Sequence, residues 1–382
     1  MNTRREFLQT TALAASAAAL PAVLRSAPTD TPASSAPPPA PGVLVDWHNH
    51  WISPSEIRLL SARTQAPRIA TGDDGKLHFE RVSDATGAAG RPSPLWPAVT
   101  DVTARVRHLD EVGVQRQVIS YTVPLGYDAS LPADEIKPLF RGFNDDLAGL
   151  VREHSGRFIG LAALPTADPA WAAQELERAH RDLHFIGGSL PLNAFATLRG
   201  AQQLAPIFAA AQKHGSHLFI HRGAASASIP GQPPVLLPED TEWARGSLIS
   251  DSQLAAGAIT LGLTDFLDPY PDVTVQIVML GGSIPYVIEH IQSGAKRAGR
   301  TDPVEKFRRI FLDPGPYSTS PRSVLAAVKA FGADRVLFGS DYGPNPSIAP
   351  AIKTLDAALS PSDRRLIYVE NSRALLARKG FA

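Results

Sequence analysis

The sequence of 382 residues contains no cysteine, which excludes disulfide bonds and any lipid anchor attached through a cysteine. It also has no excess of charge of either sign, because 37 lysines and arginines balance 37 aspartates and glutamates. This balance gives no electrostatic reason to expect a nucleic acid or an acidic membrane surface as a partner. A glycine-rich phosphate-binding loop is missing after the first predicted strand, which argues against a dinucleotide-binding Rossmann domain. We therefore expect the partner to be a small-molecule substrate.

The first 27 residues have the features of an export signal. Arg4 and Arg5 precede an apolar, alanine-rich run from Thr10 to Val23, which is typical of the twin-arginine (Tat) route for folded proteins. The alternative is a membrane anchor, but the run has about 14 residues and a membrane-spanning helix needs about 20. We therefore expect residues 1–27 to be cleaved, and the protein to work in the periplasm without a membrane contact after cleavage.

A segment rich in proline, serine, threonine and alanine follows at residues 28–41. Such a composition cannot bury enough apolar surface to order itself, so it predicts a disordered linker. The folded part then comprises residues 42–382. This length exceeds the roughly 250 residues of a simple α/β barrel and leaves room for insertions.

From Gly42 onward, apolar strand-like runs alternate with amphipathic helical stretches, which is the pattern of parallel βαβ units. Eight runs are predicted strands: Val43–Trp47, Gln117–Thr122, Phe158–Ala163, Phe185–Leu190, His217–His221, Val273–Val278, Ile310–Leu312 and Val336–Phe338. Helices fit Val99–Val112, Pro138–Glu153, Ala170–Leu183, Gln202–His214, Ile284–Ala298, Pro321–Phe331 and Ile348–Leu359. We predict an α/β fold, a (β/α)8 TIM barrel with loop insertions after strands 1 and 5.

Two segments do not fit the alternation. Ser53–Pro97 follows the first predicted strand and is dense in proline, glycine and charge. Arg222–Ser250 follows the fifth and is rich in proline, glycine and alanine. Both leave the carboxyl ends of strands, where barrel enzymes carry their active-site loops. We expect them to be loops that cover the pocket; the alternative is a pair of surface loops without a role.

Three histidines and one aspartate stand at the carboxyl ends of three predicted strands. His48 and His50 end the first strand, and side chains two apart in a strand point the same way. His221 ends the fifth strand and Asp341 follows the eighth. Because all strand carboxyl ends of a barrel open on one face, we expect the four side chains to converge there. Three imidazoles and a carboxylate are suited to one divalent metal ion, such as zinc.

Four motifs and one asparagine, taken in order, resemble a known family. They are Asp46-Trp47-His48-Asn49-His50, Phe219-Ile220-His221, Leu280-Gly281-Gly282-Ser283-Ile284-Pro285-Tyr286, Arg335-Val336-Leu337-Phe338-Gly339-Ser340-Asp341-Tyr342, and Asn371. The chain from Val43 onward resembles the amidohydrolase-related metal enzymes of the aminocarboxymuconate-semialdehyde decarboxylase type. The resemblance implies that His48, His50, His221 and Asp341 bind one metal ion, usually zinc. Members of this family are decarboxylases of small unsaturated or aromatic acids, hydratases and lactone hydrolases.

One position departs from the family pattern. The family usually has a histidine directly before Leu-Gly-Gly at the end of the sixth strand, and here the residue is Met279. That histidine typically helps to activate metal-bound water or to handle the proton of the substrate. A thioether cannot take a proton at neutral pH and is a poor zinc ligand. Asp341, or another group from a loop, would then carry more of the proton chemistry.

The ligand set leads us to expect a metal-dependent hydrolase that acts on a small lactone, ester or amide. The ion would lower the pKa of its bound water and polarise the substrate carbonyl, with Asp341 as the acid–base residue. Two alternatives stay open: a metal-dependent decarboxylase of small unsaturated or aromatic acids, and a periplasmic metal or small-molecule binding protein without turnover.

Residues in or beside the predicted rim loops are candidates for substrate binding, namely Trp51, Arg222, Met279 and Tyr286. An arginine at such a rim suits a substrate carboxylate, because its planar guanidinium can donate two parallel hydrogen bonds. A homodimer is common among the enzymes that the chain resembles, and the sequence leaves the oligomeric state open.

Overall fold

The computed structural model describes residues 42, 44–82, 92–234 and 240–381. Its strands are β1 (Val45–His50), β2 (Arg68–Thr71), β3 (Leu77–Glu80), β4 (Ser93–Pro94), β5 (Arg116–Ser120), β6 (Phe158–Ala163), β7 (Gly187–Pro191), β8 (His217–His221), β9 (Thr274–Ile277) and β10 (Ile310–Leu312). The predicted signal peptide (1–27) and linker (28–41) lie outside the described residues, so both stay predictions.

A seven-stranded sheet in the order β1-β5-β6-β7-β8-β9-β10 forms the centre of the described chain. Every neighbouring pair in it is parallel. All residues of β1, β6, β7 and β8 are buried, as expected for a parallel sheet that helices cover. The carboxyl ends of these strands therefore lie at one edge, which is where functional side chains collect in α/β proteins.

The eighth predicted strand, Val336–Phe338, is not a regular strand, so this detail of the prediction is corrected. Leu337 N donates to Leu312 O in β10 (2.8 Å), and Trp47 N in β1 donates to Phe338 O (2.9 Å). Three residues with such isolated bonds do not make a continuous ladder, but they contact both edge strands. The sheet is thus curled, and the fold is α/β and TIM-barrel-like.

The helices surround this sheet and begin and end as follows: α1 (Pro54–Ser61), α2 (Pro97–Thr100), α3 (Val102–Val112), α4 (Tyr127–Ser130), α5 (Ala133–Glu153), α6 (Pro169–Arg181), α7 (Leu198–Gln203), α8 (Ala205–His214), α9 (Glu242–Leu263), α10 (Ile284–Arg297), α11 (Pro303–Phe307), α12 (Pro321–Phe331), α13 (Ala349–Ala358), α14 (Pro361–Arg365) and α15 (Asn371–Arg378). Asp101 and Asp168 cap α3 and α6 by accepting from Ala104 N and Trp171 N, as residues of this type do at helix starts. Among the described residues, no helix has both the length and the apolar character that crossing a bilayer requires.

The segment after β1 is more ordered than the expected loop. It contains α1 and a three-stranded antiparallel sheet in the order β2-β3-β4. Ile69 and Phe79 pair in this sheet and are 2% and 1% exposed, so the sheet buries its own apolar face. Residues 83–91 of the segment lie outside the described part. In the second expected loop, Arg222–Ser250, the residues from Glu242 onward already belong to α9.

The last helix links two distant parts of the sheet. Trp47 Nε1 in β1 donates to Ser372 Oγ (2.8 Å). Asn371 Nδ2 donates to Val336 O (2.7 Å) and to Ala333 O (2.8 Å). Helix α15 therefore holds β1 and Val336–Phe338 next to each other, which gives Asn371 a structural role.

A capping box starts α1 directly after β1. Ser53 Oγ accepts from Glu56 N (3.1 Å), and Glu56 Oε2 accepts from Ser53 N (2.6 Å). These reciprocal bonds satisfy two backbone donors that the helix itself cannot pair. Glu56 is 1% exposed, and burial raises the pKa of its carboxyl to about 8, against the lowering effect of the bonds to Ser53.

Replacing Glu56 with glutamine is expected to remove a pH-dependent loss of stability. The folded-state pKa exceeds that of the unfolded chain, so the folded protein binds the extra proton and its free energy of unfolding falls as pH rises from about 4.5 to about 8. Glu56→Gln keeps an acceptor for Ser53 N and has no charge to bury. We expect a Tm that is higher than wild type by a few degrees at about pH 9 and similar at about pH 5.

Thermal unfolding followed by circular dichroism across this pH range measures the effect. The exposed Glu289 provides a matched control, Glu289→Gln, which removes a carboxyl from the surface of α10. A Tm difference for Glu56→Gln that stays constant with pH would contradict the assignment.

Candidate metal centre

Four side chains from three places in the chain meet at the carboxyl edge of the sheet. The ligand atoms of His48, His50, His221 and Asp341 all lie within 4.8 Å of one another. His221 Nε2 is 3.1 Å from His48 Nε2 and 3.2 Å from His50 Nε2. Asp341 Oδ1 is 3.2 Å and 3.3 Å from the same two nitrogens. The structure therefore brings together all four residues that the strand ends predicted.

Backbone pairing places Asp341 against β1. Asp341 N donates to His48 O (2.7 Å), and Asn345 N donates to Asp341 O (3.1 Å). Asp341 has a φ of 58°, a left-handed conformation that is uncommon for residues other than glycine, asparagine and aspartate. Such a conformation persists where the surroundings hold it, and it is found often at functional sites.

The buried side chain of Arg105 donates hydrogen bonds to residues of β1 and β5. The Arg105 guanidinium donates to His50 O, to Gln117 Oε1 (2.9 Å) and to Asn49 Oδ1 (3.2 Å). Burial lowers the pKa of Arg105 to about 10, so the group stays charged at neutral pH. Because one of its bonds ends on the carbonyl of His50, Arg105 fixes the backbone that carries this ligand.

The outer ring nitrogen of each histidine has an acceptor. His50 Nδ1 lies 3.1 Å from Tyr121 O, and His221 Nδ1 lies 2.9 Å from Arg222 O. A carbonyl can only accept, so both Nδ1 atoms carry the proton and both Nε2 atoms present a lone pair. His48 Nδ1 lies 2.6 Å from the carboxylate oxygen Asp313 Oδ1, which orients its ring in the same way.

This arrangement fits a single divalent cation. Three imidazole nitrogens and a carboxylate oxygen point at a common centre, with neighbouring atoms only 3.1 to 3.3 Å apart. Lone pairs and a negative charge at this separation repel one another unless a positive charge lies between them. Nitrogen-rich sets of this kind suit a transition metal ion.

The charges around the cluster favour a positive charge at its centre. Burial disfavours the imidazolium of His48, but Asp313 and Asp341 outweigh it and raise the pKa of His48 to about 10. Burial likewise opposes ionisation of Asp341, but the hydrogen bonds from His48 and His50 leave the pKa of this carboxyl well below its usual value. Burial lowers the pKa of His221.

Asp313 contacts one of the four clustered side chains and was not predicted as a site residue from the sequence. It is fully buried, follows β10 directly, and accepts from Gln276 Nε2 through Oδ2 (2.7 Å) while Oδ1 faces His48. The sequence contained a sign of this role, because Asp313 directly follows the seventh predicted strand, at the same edge of the sheet as His221 at the end of the fifth. Carboxylates that accept from the outer nitrogen of a ligand histidine fix its ring and raise its basicity.

Removing the Asp313 carboxylate is expected to weaken metal binding about 10- to 100-fold. Asp313→Ala leaves His48 Nδ1 without its acceptor, so the ring loses its fixed orientation. Competition with a chromophoric chelator measures the affinity. Asp313→Asn, which retains a neutral acceptor, is expected to lie between Asp313→Ala and wild type. Equal affinities for all three proteins would contradict this role.

A cavity of about 290 Å³ opens beside the cluster, and His48, His221 and Asp341 form part of its wall. Most of the wall is apolar or aromatic, and two arginines contribute charge. Further lining residues are Ile52, Phe79, Arg81, Ser93, Pro94, Leu95, Trp96, Val99, Thr122, Pro124, Leu125, Arg222, Met279, Pro316 and Pro344. Seven of them, Ile52, Phe79, Arg81 and Ser93–Trp96, come from the segment between β1 and α2 and were not individually proposed from the sequence.

Of the four residues expected at the pocket, Arg222 and Met279 line this cavity. Trp51 and Tyr286 are not among its lining residues. Trp51 is 4% exposed and packs near Phe143, with ring centroids 5.9 Å apart. Tyr286 is 58% exposed and donates to Ser323 Oγ (2.9 Å) from the outer face of α10. Proximity to a strand end does not determine which way such side chains point.

Comparison with known proteins gives several matches. The family model described as Amidohydrolase matches residues 45–378. Gamma-resorcylate decarboxylase of Polaromonas sp. is 27% identical over 327 residues, covering 78% of this chain and 96% of the relative. The 2-amino-3-carboxymuconate-6-semialdehyde decarboxylase of Dictyostelium discoideum is 26% identical over 249 residues, covering 63% of this chain and 66% of the relative.

Solved structures share the fold. A manganese-bound 5-carboxyvanillate decarboxylase from Novosphingobium aromaticivorans superposes with a TM-score of 0.67 at 17% identity, covering 88% of this chain and 97% of that one. A dihydroxybenzoic acid decarboxylase from Polaromonas sp., with bound manganese and the inhibitor 2-nitroresorcinol, gives a TM-score of 0.65 at 21% identity, covering 88% and 97%.

These comparisons correct the leading functional expectation. The relatives that match over most of this chain are decarboxylases, and the two solved decarboxylase structures contain manganese, so the expected hydrolysis of a lactone, ester or amide is wrong. The same four ligands serve either reaction, so they could not distinguish them. The family resemblance itself is confirmed: with a family model that extends over residues 45–378, this chain belongs to the amidohydrolase family.

Proposed function

We propose that this protein is a metal-dependent decarboxylase of small aromatic or unsaturated carboxylic acids. The observation that carries the proposal is the cluster of His48, His50, His221 and Asp341 in the wall of a largely apolar cavity. The similarity to gamma-resorcylate decarboxylases over 78% of the chain supports decarboxylation over other reactions of the same ligand set.

The four ligands would hold one ion. When bound, such an ion supplies positive charge that attracts and polarises an oxygen of the substrate. Three imidazoles favour a transition metal over magnesium or calcium, and zinc and manganese are the two ions to test. The apolar wall, including Phe79 and Leu95, suits a ring or an unsaturated chain, and Arg81 and Arg222 suit a carboxylate.

Asp341 is the residue that we assign to proton transfer. Its side chain is 15% exposed, whereas those of His48 and His50 are fully buried. Among the described residues that line the cavity, Asp341 alone has a carboxyl group, and the Met279 thioether cannot exchange a proton. The carboxylate accepts a proton from water or from a hydroxyl of the substrate.

Asp341 then gives that proton to the carbon that loses CO2. In this step the bond between that carbon and the carboxylate breaks, its electron pair stays on the carbon, and the new C–H bond takes up the pair.

Metal analysis combined with a CO2 assay tests the proposal. Purified protein is expected to carry one ion per chain, and to release CO2 from dihydroxybenzoates or related acids only when that ion is present. Dialysis against a chelator followed by return of zinc or manganese shows which ion restores the rate. A protein that binds the ion but releases no CO2 from any acid tried, while binding such acids, would instead fit the binding-protein alternative. Export and a homodimer stay predictions.

A further inference from the structure

One hydroxyl on a residue that lines the cavity has no hydrogen-bond partner among the described residues. Thr122 is 6% exposed, and its Oγ1 is buried without a hydrogen bond. No other described residue that lines the cavity has a buried side-chain polar atom without a hydrogen bond. Buried hydroxyls in native proteins are almost always paired, so an unpaired one at a binding site needs an explanation.

The local sequence explains why the protein itself offers no partner. Thr122 precedes the short helix Val123–Leu125, where a threonine hydroxyl normally accepts from the second or third backbone N–H of the helix. The second position is Pro124, which has no N–H. The third, Leu125 N, already donates to Thr122 O (3.0 Å). The hydroxyl is thus left for a group from outside the chain.

The fold places Thr122 at the same edge of the sheet as the clustered histidines, and it lines the same cavity as His48 and Asp341. Thr122 follows Tyr121, whose carbonyl accepts from Nδ1 of the ligand His50. Strand β5, which ends at Ser120, pairs with β1 through the partners His50 and Ser120. Thr122 therefore lies at the carboxyl edge of the strand that neighbours the two ligand histidines.

We infer that Thr122 is a specificity-determining residue whose hydroxyl binds an oxygen substituent on the substrate, a phenolic or enolic hydroxyl. This inference rests on the proposed function for the identity of the substrate, a carboxylic acid. It adds to that proposal a residue that recognises a second substituent of this acid, besides the carboxylate. A site built to pair a substrate hydroxyl discriminates against an analogue without it, because the protein group then stays unpaired.

Two variants and two non-reacting probes test the assignment in the metal-loaded, full-length protein. Thr122→Val keeps the shape and removes the hydroxyl, and Thr122→Ser keeps the hydroxyl. The probes are 2-nitroresorcinol and 2-nitrophenol, which differ by one hydroxyl, and calorimetry gives the two Kd values. We expect wild type and Thr122→Ser to prefer 2-nitroresorcinol about 10-fold, and Thr122→Val to lose most of that preference.

Thermal unfolding adds a readout that a merely structural role would not produce. Because the hydroxyl has no partner in the free protein, Thr122→Val is expected to have a Tm equal to or above that of wild type. A clear fall in Tm, an unchanged preference in Thr122→Val, or a wild type that prefers neither probe or binds neither would each overturn the assignment.

The two proposals fail in different ways. Absence of CO2 release with intact discrimination between the probes contradicts decarboxylation and leaves the role of Thr122 supported. CO2 release with unaltered discrimination in Thr122→Val contradicts the role of Thr122 alone.

Discussion

Replacing His221 with alanine is expected to remove stoichiometric metal and to lower the rate of CO2 release by at least about 10³-fold. His221 Nε2 lies within 3.2 Å of both β1 imidazoles, so it contributes one of the four atoms that define the site. The nearby thioether of Met279 is a soft, weak ligand and does not replace an imidazole for zinc or manganese.

Elemental analysis after gel filtration gives the metal content of His221→Ala, and a CO2 assay with added ion gives its activity. His290→Ala is the matched control, because His290 is an exposed histidine on α10 outside the cluster. If His221→Ala retained one ion per chain with wild-type affinity, the metal centre would not be where the geometry indicates.

Asp341→Asn is expected to lower kcat by about 10² to 10⁴-fold at saturating metal, with a much smaller change in KM. Asparagine has the same shape and tolerates the left-handed backbone of this position as well as aspartate does. Its amide cannot accept and return a proton, so the chemical step loses its acid–base group while the cavity keeps its form.

Steady-state kinetics with the ion in excess separate this effect from weaker metal binding. The exposed Asp73 provides the matched control, Asp73→Asn. If Asp341→Asn had a kcat near that of wild type, another group would have to transfer the proton, and this result would contradict the assignment to Asp341.

The metal cluster could be predicted from the sequence because its four residues stand at strand ends. His48, His50, His221 and Asp341 depend only on where strands stop and on the rule that parallel strands open at one edge. Asp313 obeys the same rule, but it holds a ligand ring instead of the ion. Such a supporting role becomes visible only with the 2.6 Å contact to His48 Nδ1.

The remainder of the site depends on geometry that periodicity does not encode. Strands β2 and β3 have four residues each and β4 has two, too short for a clear alternation. Whether Trp51 and Tyr286 face the cavity depends on side-chain directions at strand ends and helix starts. The choice between hydrolysis and decarboxylation depends on the substrate that the cavity accepts, which the ligand set leaves open.

Helix α15 has a consequence for the order of events during synthesis of the chain. It joins β1 to Val336–Phe338, so the two histidines of β1 gain their final neighbours only when residues 371–378 have been made. At about 5 to 20 residues per second, His50 leaves the ribosome roughly 15 to 60 s before Asp341. The nascent polypeptide thus presents an incomplete set of donors until Asp341 has been made. An ion bound by the four side chains would therefore be selected only after residues 371–378 have been synthesised, from the metals present where folding is completed.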